Sequence, residues 1–267
     1  MKKVMSFCLI LILSSTLAFS NRIKGIAEKK ECISLLAEKY CINIISIEGK
    51  SIKKKTSYLN LDVDIPVIKD LKDLKFQQEL NNQIENKILS FAAKLEEDAK
   101  QYEKDAKEKN FPFHPYELMV TYKVNYNNNS LLSYTVDVFY YTGGAHGMTE
   151  RYAYNIDTRS SKVLELKDLF KETYKYKEAI NNEIAKKIKE SPEGTYFPNE
   201  FKSITDNQVF YITDNGIVIH FGLYEIAPYV SGFSEFTMPW EMFKGHLNYT
   251  MLKYPRHSMQ VILPITT

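Results

Sequence analysis

The chain has 267 residues, with 35 lysines and arginines against 33 aspartates and glutamates. This near balance argues against nucleic acid as a partner, because binding to nucleic acid needs a net basic face. A chain of this length can bury a substantial core, in one two-part domain or in two small domains.

The N-terminus has the pattern of a secretory signal peptide over residues 1–20. Lys2 and Lys3 precede an apolar run from Val4 to Leu17, and small residues follow at a cleavage-type site in residues 18–20. The alternative is an uncleaved membrane anchor, since the run is near the shortest that spans a bilayer core of about 30 Å. We therefore expect an extracytoplasmic protein that is periplasmic, secreted or at the cell surface, with membrane contact only through an uncleaved signal segment.

Two cysteines, Cys32 and Cys41, remain after the predicted cleavage. On one continuous helix nine residues would separate them by about 13.5 Å, which is beyond the roughly 7 Å that a disulfide tolerates between Cα atoms. A bridge therefore needs the chain to turn between them. A disulfide and two buried free thiols both stay open.

The first half of the chain predicts two strands and a long helix. Residues 41–49 and 58–68 alternate apolar and polar side chains, which is typical of strands, and Pro66 is expected to close the second. From residue 69 to 110 apolar side chains recur at mostly helical spacing, which predicts an amphipathic helix with at most one break. Pro112 should stop this helix.

The remainder predicts mainly antiparallel strands. A hairpin, a third strand and a second helix are followed by a second hairpin and a last strand. Their predicted ranges are 118–126, 132–140, 148–156, 171–190, 208–222 and 234–243, the last of which is a strand that enters a short helix. The fold class is therefore α+β, with antiparallel sheets, packed helices and two consecutive subdomains.

Three stretches carry a family resemblance: YTGGAHG followed by NIDTRSSKVLELKDLF, then FYITDNGIVIHFGLYEIAPYVSG, and finally EFTMPW. Together they resemble the PdaC/RsiV-like extracytoplasmic domain, which is shared by a lysozyme-sensing bacterial anti-sigma factor and the N-terminal part of a peptidoglycan deacetylase. The resemblance runs from about Ile42 to Leu247. It implies an α+β unit in two consecutive parts, which we place at residues 21–157 and 158–267, and recognition of lysozyme or cell-wall glycan. Only a signal peptide is expected before this unit and no catalytic domain after it.

The loop at 141–147, YTGGAHG, is the first candidate site. Its glycines fit a bulged turn between two strands, in which His146 would cap the turn. The same glycines also fit a loop that contacts a ligand through Tyr141 and His146. The sequence favours the turn and leaves both interpretations open.

Signatures of catalysis are missing from the sequence. The five histidines show no paired zinc-ligand spacing, no GxSxG motif supplies a serine nucleophile, and neither mature cysteine has a catalytic context. We therefore expect no enzyme activity, no metal and no cofactor. A minor hypothesis is an enzyme in which Glu225 or Asp157 approaches His146 to form a proton-transfer group.

The loop at 224–232 is the second candidate site. Tyr224, Pro228 and Tyr229 place rigid amphipathic groups where a solvated loop would be more polar, and tyrosines are frequent interface anchors. The prediction is an exported, non-catalytic binding protein that contacts its partner through this loop and loop 141–147. The partner is a lysozyme-like wall hydrolase, with peptidoglycan as the alternative.

Overall fold

A computed structural model describes residues 44–128 and 130–249. All elements below lie in one compact unit that begins at Ile45. The predicted signal peptide at 1–20 and the pair Cys32 and Cys41 lie outside the described residues, so both remain predictions. Within the described ranges, no helix combines the length and apolar character that a bilayer crossing requires.

The first sheet has six strands and carries one long helix on a face. Its strands, in spatial order, are β1 (Ile47–Lys55), β2 (Leu59–Ile68), β3 (Tyr116–Asn128), β4 (Leu131–Tyr141), β5 (Met148–Asp157) and β6 (Lys162–Val163). Helix α1 (Leu74–Lys109) lies between β2 and β3 in the chain. Its buried stripe, which includes Leu80, Ile84 and Ile88, packs on the sheet and forms one of two apolar cores.

The ends of α1 follow from local chemistry. The Asp73 carboxylate accepts the Phe76 N–H at 3.0 Å, which caps the first turn. At the other end Asn110 takes a left-handed conformation with φ 52°, and its N–H bonds to the Ala106 carbonyl. The helix is continuous over 36 residues, without the break that the sequence allowed.

The α+β class is confirmed, and the first sheet departs from an antiparallel pattern at one pair. Strands β2 and β3 are parallel, with Leu59 opposite Tyr116 and Val63 opposite Val120. Helix α1 is the crossover that returns the chain to the same end of the sheet, as a parallel pair requires. Pro66 lies inside β2 and does not close it. It lies past the last residue paired with β3, so its missing N–H removes no bond to that strand.

The second sheet is antiparallel and has three strands, β7 (Phe210–Thr213), β8 (Gly216–Phe221) and β9 (Ser234–Pro239). Helix α2 (Tyr176–Glu190) buries Ile180 and Ile184 in the second apolar core, which also holds Trp240. The observed hairpins, strands and helices agree with the predicted ones in type and order. Strand β1 begins about six residues later than expected and takes in the lysine-rich stretch, and α1 and α2 each begin about five residues later than predicted.

Three hydrogen bonds made by two buried polar side chains dock the second sheet on the first. The Ser133 hydroxyl of β4 accepts the Ile212 N–H at 2.9 Å and donates to the Asn155 side chain of β5 at 2.7 Å. The Asn155 amide in turn donates to the Phe210 carbonyl at 2.8 Å. Ser133 and Asn155 are 0% and 2% exposed, so each group depends on the others for its hydrogen bonds.

We expect Ser133→Ala to lower the free energy of unfolding by about 1–3 kcal/mol, because it leaves a buried N–H and a buried amide oxygen unpaired. Urea denaturation measures this loss, and Ser51→Ala on the exposed strand β1 is the matched control. Equal stabilities for the two variants would contradict a docking role for the Ser133 hydroxyl.

Candidate functional site

The two loops predicted as binding segments lie against each other. Loop 141–147 joins β4 to β5, and loop 224–232 follows β8. The His146 ring stacks on Tyr229 with centroids 3.9 Å apart and planes at 23°. The Tyr224 hydroxyl lies 3.2 Å from His146 Nε2.

The hydrogen bonds around His146 fix its ring. Nδ1 lies 3.0 Å from the Gly147 carbonyl, which also accepts the Tyr229 hydroxyl at 2.8 Å. Because a carbonyl only accepts, the neutral ring carries its proton on Nδ1, and Nε2 accepts from Tyr224. Both ring nitrogens are therefore engaged by the protein itself.

The backbone of loop 224–232 holds Tyr224 in an uncommon conformation. Its φ of 65° is in the left-handed region, which few non-glycine residues adopt. The Glu225 carboxylate accepts the Gly222 N–H at 2.7 Å and closes the turn. A short helical turn at Tyr229–Ser231 begins directly after Pro228.

The paired loops present apolar groups to solvent. The Val230 side chain is 91% exposed and Tyr224 is 48% exposed. We call His146, Tyr224, Tyr229 and Val230 the loop platform. Solvent-exposed apolar groups on a hydrogen-bonded, stacked base are typical of a preformed contact surface.

Not every predicted residue joins the loop platform. Tyr141 ends β4 opposite Glu117 and is half-buried, and Pro228 is half-buried before the helical turn. Across residues 44–128 and 130–249, neither has a hydrogen bond or ring contact with His146.

The proton-transfer group of the enzyme hypothesis is not assembled around His146. The Asp157 carboxylate is buried and accepts the Arg159 N–H at 2.9 Å, and the Glu225 carboxylate accepts the Gly222 N–H. In the described part of the chain no carboxylate hydrogen-bonds His146, and no three His, Cys, Asp or Glu side chains are placed to hold a metal ion.

Sequence reasoning missed an ionic cluster beside the loop platform. Arg151 of β5 binds both oxygens of Asp137 at 2.6 Å and one oxygen of Glu235 at 2.7 Å. Glu235 Oε1 also lies 3.0 Å from Nδ1 of His220, which is 3% exposed. The guanidinium carbon stands 4.8 Å from the centre of the Phe233 ring. The isolated polar residue in GIVIHF was the one available signal.

The pKa values in this cluster follow from the pairing. Hydrogen bonds to Asp137 raise the pKa of Arg151 despite its burial. Burial acts to raise the pKa of Glu235, but the hydrogen bond with His220 and the charge of Arg151 outweigh it and hold the pKa below its ordinary value. Burial and the Glu235 charge raise the pKa of Tyr211 to about 12. Arg151 and Glu235 therefore keep their charges at neutral pH.

A groove of about 320 Å³ runs from the loop platform along β5. One side is lined by Tyr140 of β4 and residues Met148–Tyr152, and the other by parts of segments 205–209 and 220–225. The groove adjoins the loop platform along the chain, because Met148 directly follows loop 141–147 and Leu223 directly precedes loop 224–232.

Two family models match segments of the chain, and each segment contains one of the two loops. Residues 52–149 match the family model described as deacetylase PdaC, and residues 167–241 match DUF3298, a family of unknown function. The anti-sigma-V factor RsiV of Bacillus subtilis (strain 168) is 29% identical over 197 residues. These matches confirm that the chain resembles the PdaC/RsiV-like domain family.

The alignment with that anti-sigma factor covers 70% of this chain and 65% of the relative. Two solved DUF3298 structures share the fold of this PdaC/RsiV-like chain. The one from Bacteroides fragilis has a TM-score of 0.62 at 23% identity, over 80% of this chain and 99% of the other. The one from Pseudomonas aeruginosa PAO1 has a TM-score of 0.55 at 18% identity, over 80% and 98%.

Gly147 and Gly144 lie in the same loop but differ in how closely their surroundings pack against them. A Cβ at Gly147 would lie 2.3 Å from the Phe139 ring, whereas one at Gly144 meets nothing within 4 Å. We expect Gly147→Ala to lower the free energy of unfolding by about 1–3 kcal/mol and Gly144→Ala to change it by less than about 0.5 kcal/mol. Thermal denaturation tests this, and equal melting temperatures would show that loop packing does not require Gly147.

The lowered pKa of Glu235 predicts a pH-dependent contribution to stability. A depressed carboxylate pKa stabilises the fold above the ordinary value near 4.5, and this is lost as pH falls through the lower native pKa. Glu235→Gln should cost on the order of 1 kcal/mol at pH 7, and the difference from wild type should shrink below pH 4.5. Urea titrations at pH 7, 5 and 3.5 measure it. Glu193→Gln at the exposed surface is the control, and a cost independent of pH would contradict the assignment.

Proposed function

We propose that this chain is an exported, non-catalytic binding protein that recognises lysozyme or another cell-wall hydrolase. The similarity to an anti-sigma factor supports a sensor or receptor domain over a catalyst. The signal-peptide pattern at residues 1–20 supports an extracytoplasmic location, where such a partner acts.

The observation that carries the proposal is the convergence of loops 141–147 and 224–232. Stacking and hydrogen bonds hold His146, Tyr224 and Tyr229 in one arrangement, so little side-chain entropy remains to be lost on binding. Val230 stands out from this base with almost its whole side chain in solvent. A rigid aromatic base with a protruding apolar tip is typical of an interface anchor.

The protruding Val230 side chain suits a partner with a concave surface. A wall hydrolase has a cleft for its polysaccharide substrate, and clefts of this kind are favoured binding sites. Insertion of Val230 and Tyr224 into that cleft would bury apolar surface and block substrate. His146 supports the tip in this role and performs no proton transfer.

A second candidate is a cell-wall glycan-binding module, which one observation favours. Tyr224 is about half exposed, and in the described residues its aromatic ring pairs are with Tyr229 and His146. An exposed aromatic ring can stack on the apolar face of a sugar. The two candidates differ in their ligand and share the loop platform.

Calorimetric titration of the exported protein with lysozyme, and in parallel with wall-glycan fragments, tests both candidates. We expect lysozyme binding with a Kd of about 1 μM or tighter. Val230→Asp should weaken it at least about tenfold, because a charge would enter the apolar contact. The matched control is Val163→Asp, at a valine that is 42% exposed on β6, which should bind like wild type.

If the titration shows binding heat with glycan fragments and none with lysozyme, the ligand is the glycan and not the hydrolase. Heat with neither would refute the proposed function. Equal weakening by both valine substitutions would show that lysozyme binds elsewhere than at the loop platform.

A further inference from the structure

The groove beside β5 runs along the edge of a sheet. Five consecutive residues, Met148 to Tyr152, line it. Successive side chains of a strand point to opposite faces, so a groove on one face would be lined by alternate residues. A groove lined by every residue in turn follows the strand's open side.

Backbone groups on that side are unpaired. Strand β6 pairs only with Ile156 and Asp157, and the Asn155 carbonyl accepts the Leu164 N–H on the same side. By strand alternation the N–H and C=O groups of Thr149, Arg151 and Ala153 also point outward. Among residues 44–128 and 130–249 these groups have no backbone hydrogen-bond partner.

The two edges of the sheet differ in their protection against strand addition, because lysines mark only one of them. The outer strand β1 carries Lys50 and the consecutive lysines at 53–55, and charged side chains of this kind discourage the addition of another strand. The β5 edge has neither lysine nor proline over residues 148–153. It is also flanked by a second wall, formed by parts of segments 205–209 and 220–225.

The charge beside this edge is negative. Glu150 and Glu225 line the groove, and Arg151 is bound by Asp137 and Glu235. Lys87 is the cation near Glu150. Four carboxylates against two cations leave a formal charge of −2, counting His220 as neutral. An occupant with lysine or arginine side chains complements it.

We propose that the β5 edge binds an extended, basic segment of a partner protein as an added strand. Backbone hydrogen bonds to Thr149 and Arg151 would supply affinity, and the groove carboxylates would select cationic side chains. This deepens the proposed function by giving the partner of the loop platform a second contact. The test uses peptides, so its failure is distinct from a failure to bind lysozyme.

The probe is a capped ten-residue peptide of alternating lysine and threonine, measured by fluorescence anisotropy on the whole exported protein at low salt. Its partner probe is N-methylated at every second residue, which removes backbone donors and keeps the charge. We expect the unmodified peptide to bind at least about tenfold more tightly, a difference of about 1.4 kcal/mol. Binding should weaken as salt rises.

Thr149→Pro removes a backbone donor from the protein, as N-methylation does from the peptide. It removes an outward N–H and leaves the bonds to β4 intact, which an edge strand tolerates. The control is Ser51→Pro, which removes an outward N–H from β1 in the same way. We expect Thr149→Pro to weaken peptide binding about tenfold or more and Ser51→Pro to leave it unchanged.

No peptide binding, equal binding of the two peptides, or unchanged binding to a folded Thr149→Pro variant would overturn the proposal. The proposal would also be overturned if the wild-type chain self-associates and Thr149→Pro makes it monomeric. The β5 edge would then bind a second copy of this chain. If Thr149→Pro does not fold, the two peptides measured on wild type decide the question.

Discussion

The buried hydrogen bonds of Ser133 and Asn155 hold the second sheet on the first, and the candidate site depends on them. Both residues are closed off from water, so a shift of β7 against β4 would leave several polar groups unpaired. Apolar contact alone would permit small sliding movements between layers. Fixed hydrogen bonds select one relative position, and that position brings a loop of the first sheet against a loop that follows β8.

The ionic cluster extends the same constraint toward the surface. Arg151 belongs to the first sheet and Glu235 to the second, so their ion pair ties β5 to β9 next to the loop platform. The planar guanidinium binds Asp137 through two parallel bonds, which fixes its direction before it meets Glu235. Since the pair is largely screened from solvent, its geometry constrains the loops more than its net energy stabilises the fold.

Local patterns predicted most of the fold. The hairpin of β3 and β4 was visible because alternation is strict and a polar turn separates the strands, and α1 because its stripe is long. The parallel pairing of β2 with β3 could not be predicted, since it depends on where α1 returns the chain. The loops of the site were visible as glycine-rich and aromatic segments. Arg151 and Glu235 were not, because nothing near either residue in the sequence indicates its partner 84 residues away.

The net charge of the whole chain does not describe the local charge that a binding partner meets. The whole chain is nearly neutral, which gives no reason to expect attraction of a basic partner. The structure separates the charges: lysines at 53–55 lie on the β1 edge, while carboxylates including Glu150 and Glu225 gather near the β5 edge. Fields from exposed charges decay over about 8 Å at physiological ionic strength. A partner that approaches the loop platform therefore meets the carboxylates and little of the basic edge, so steering is set by this surface and not by the total.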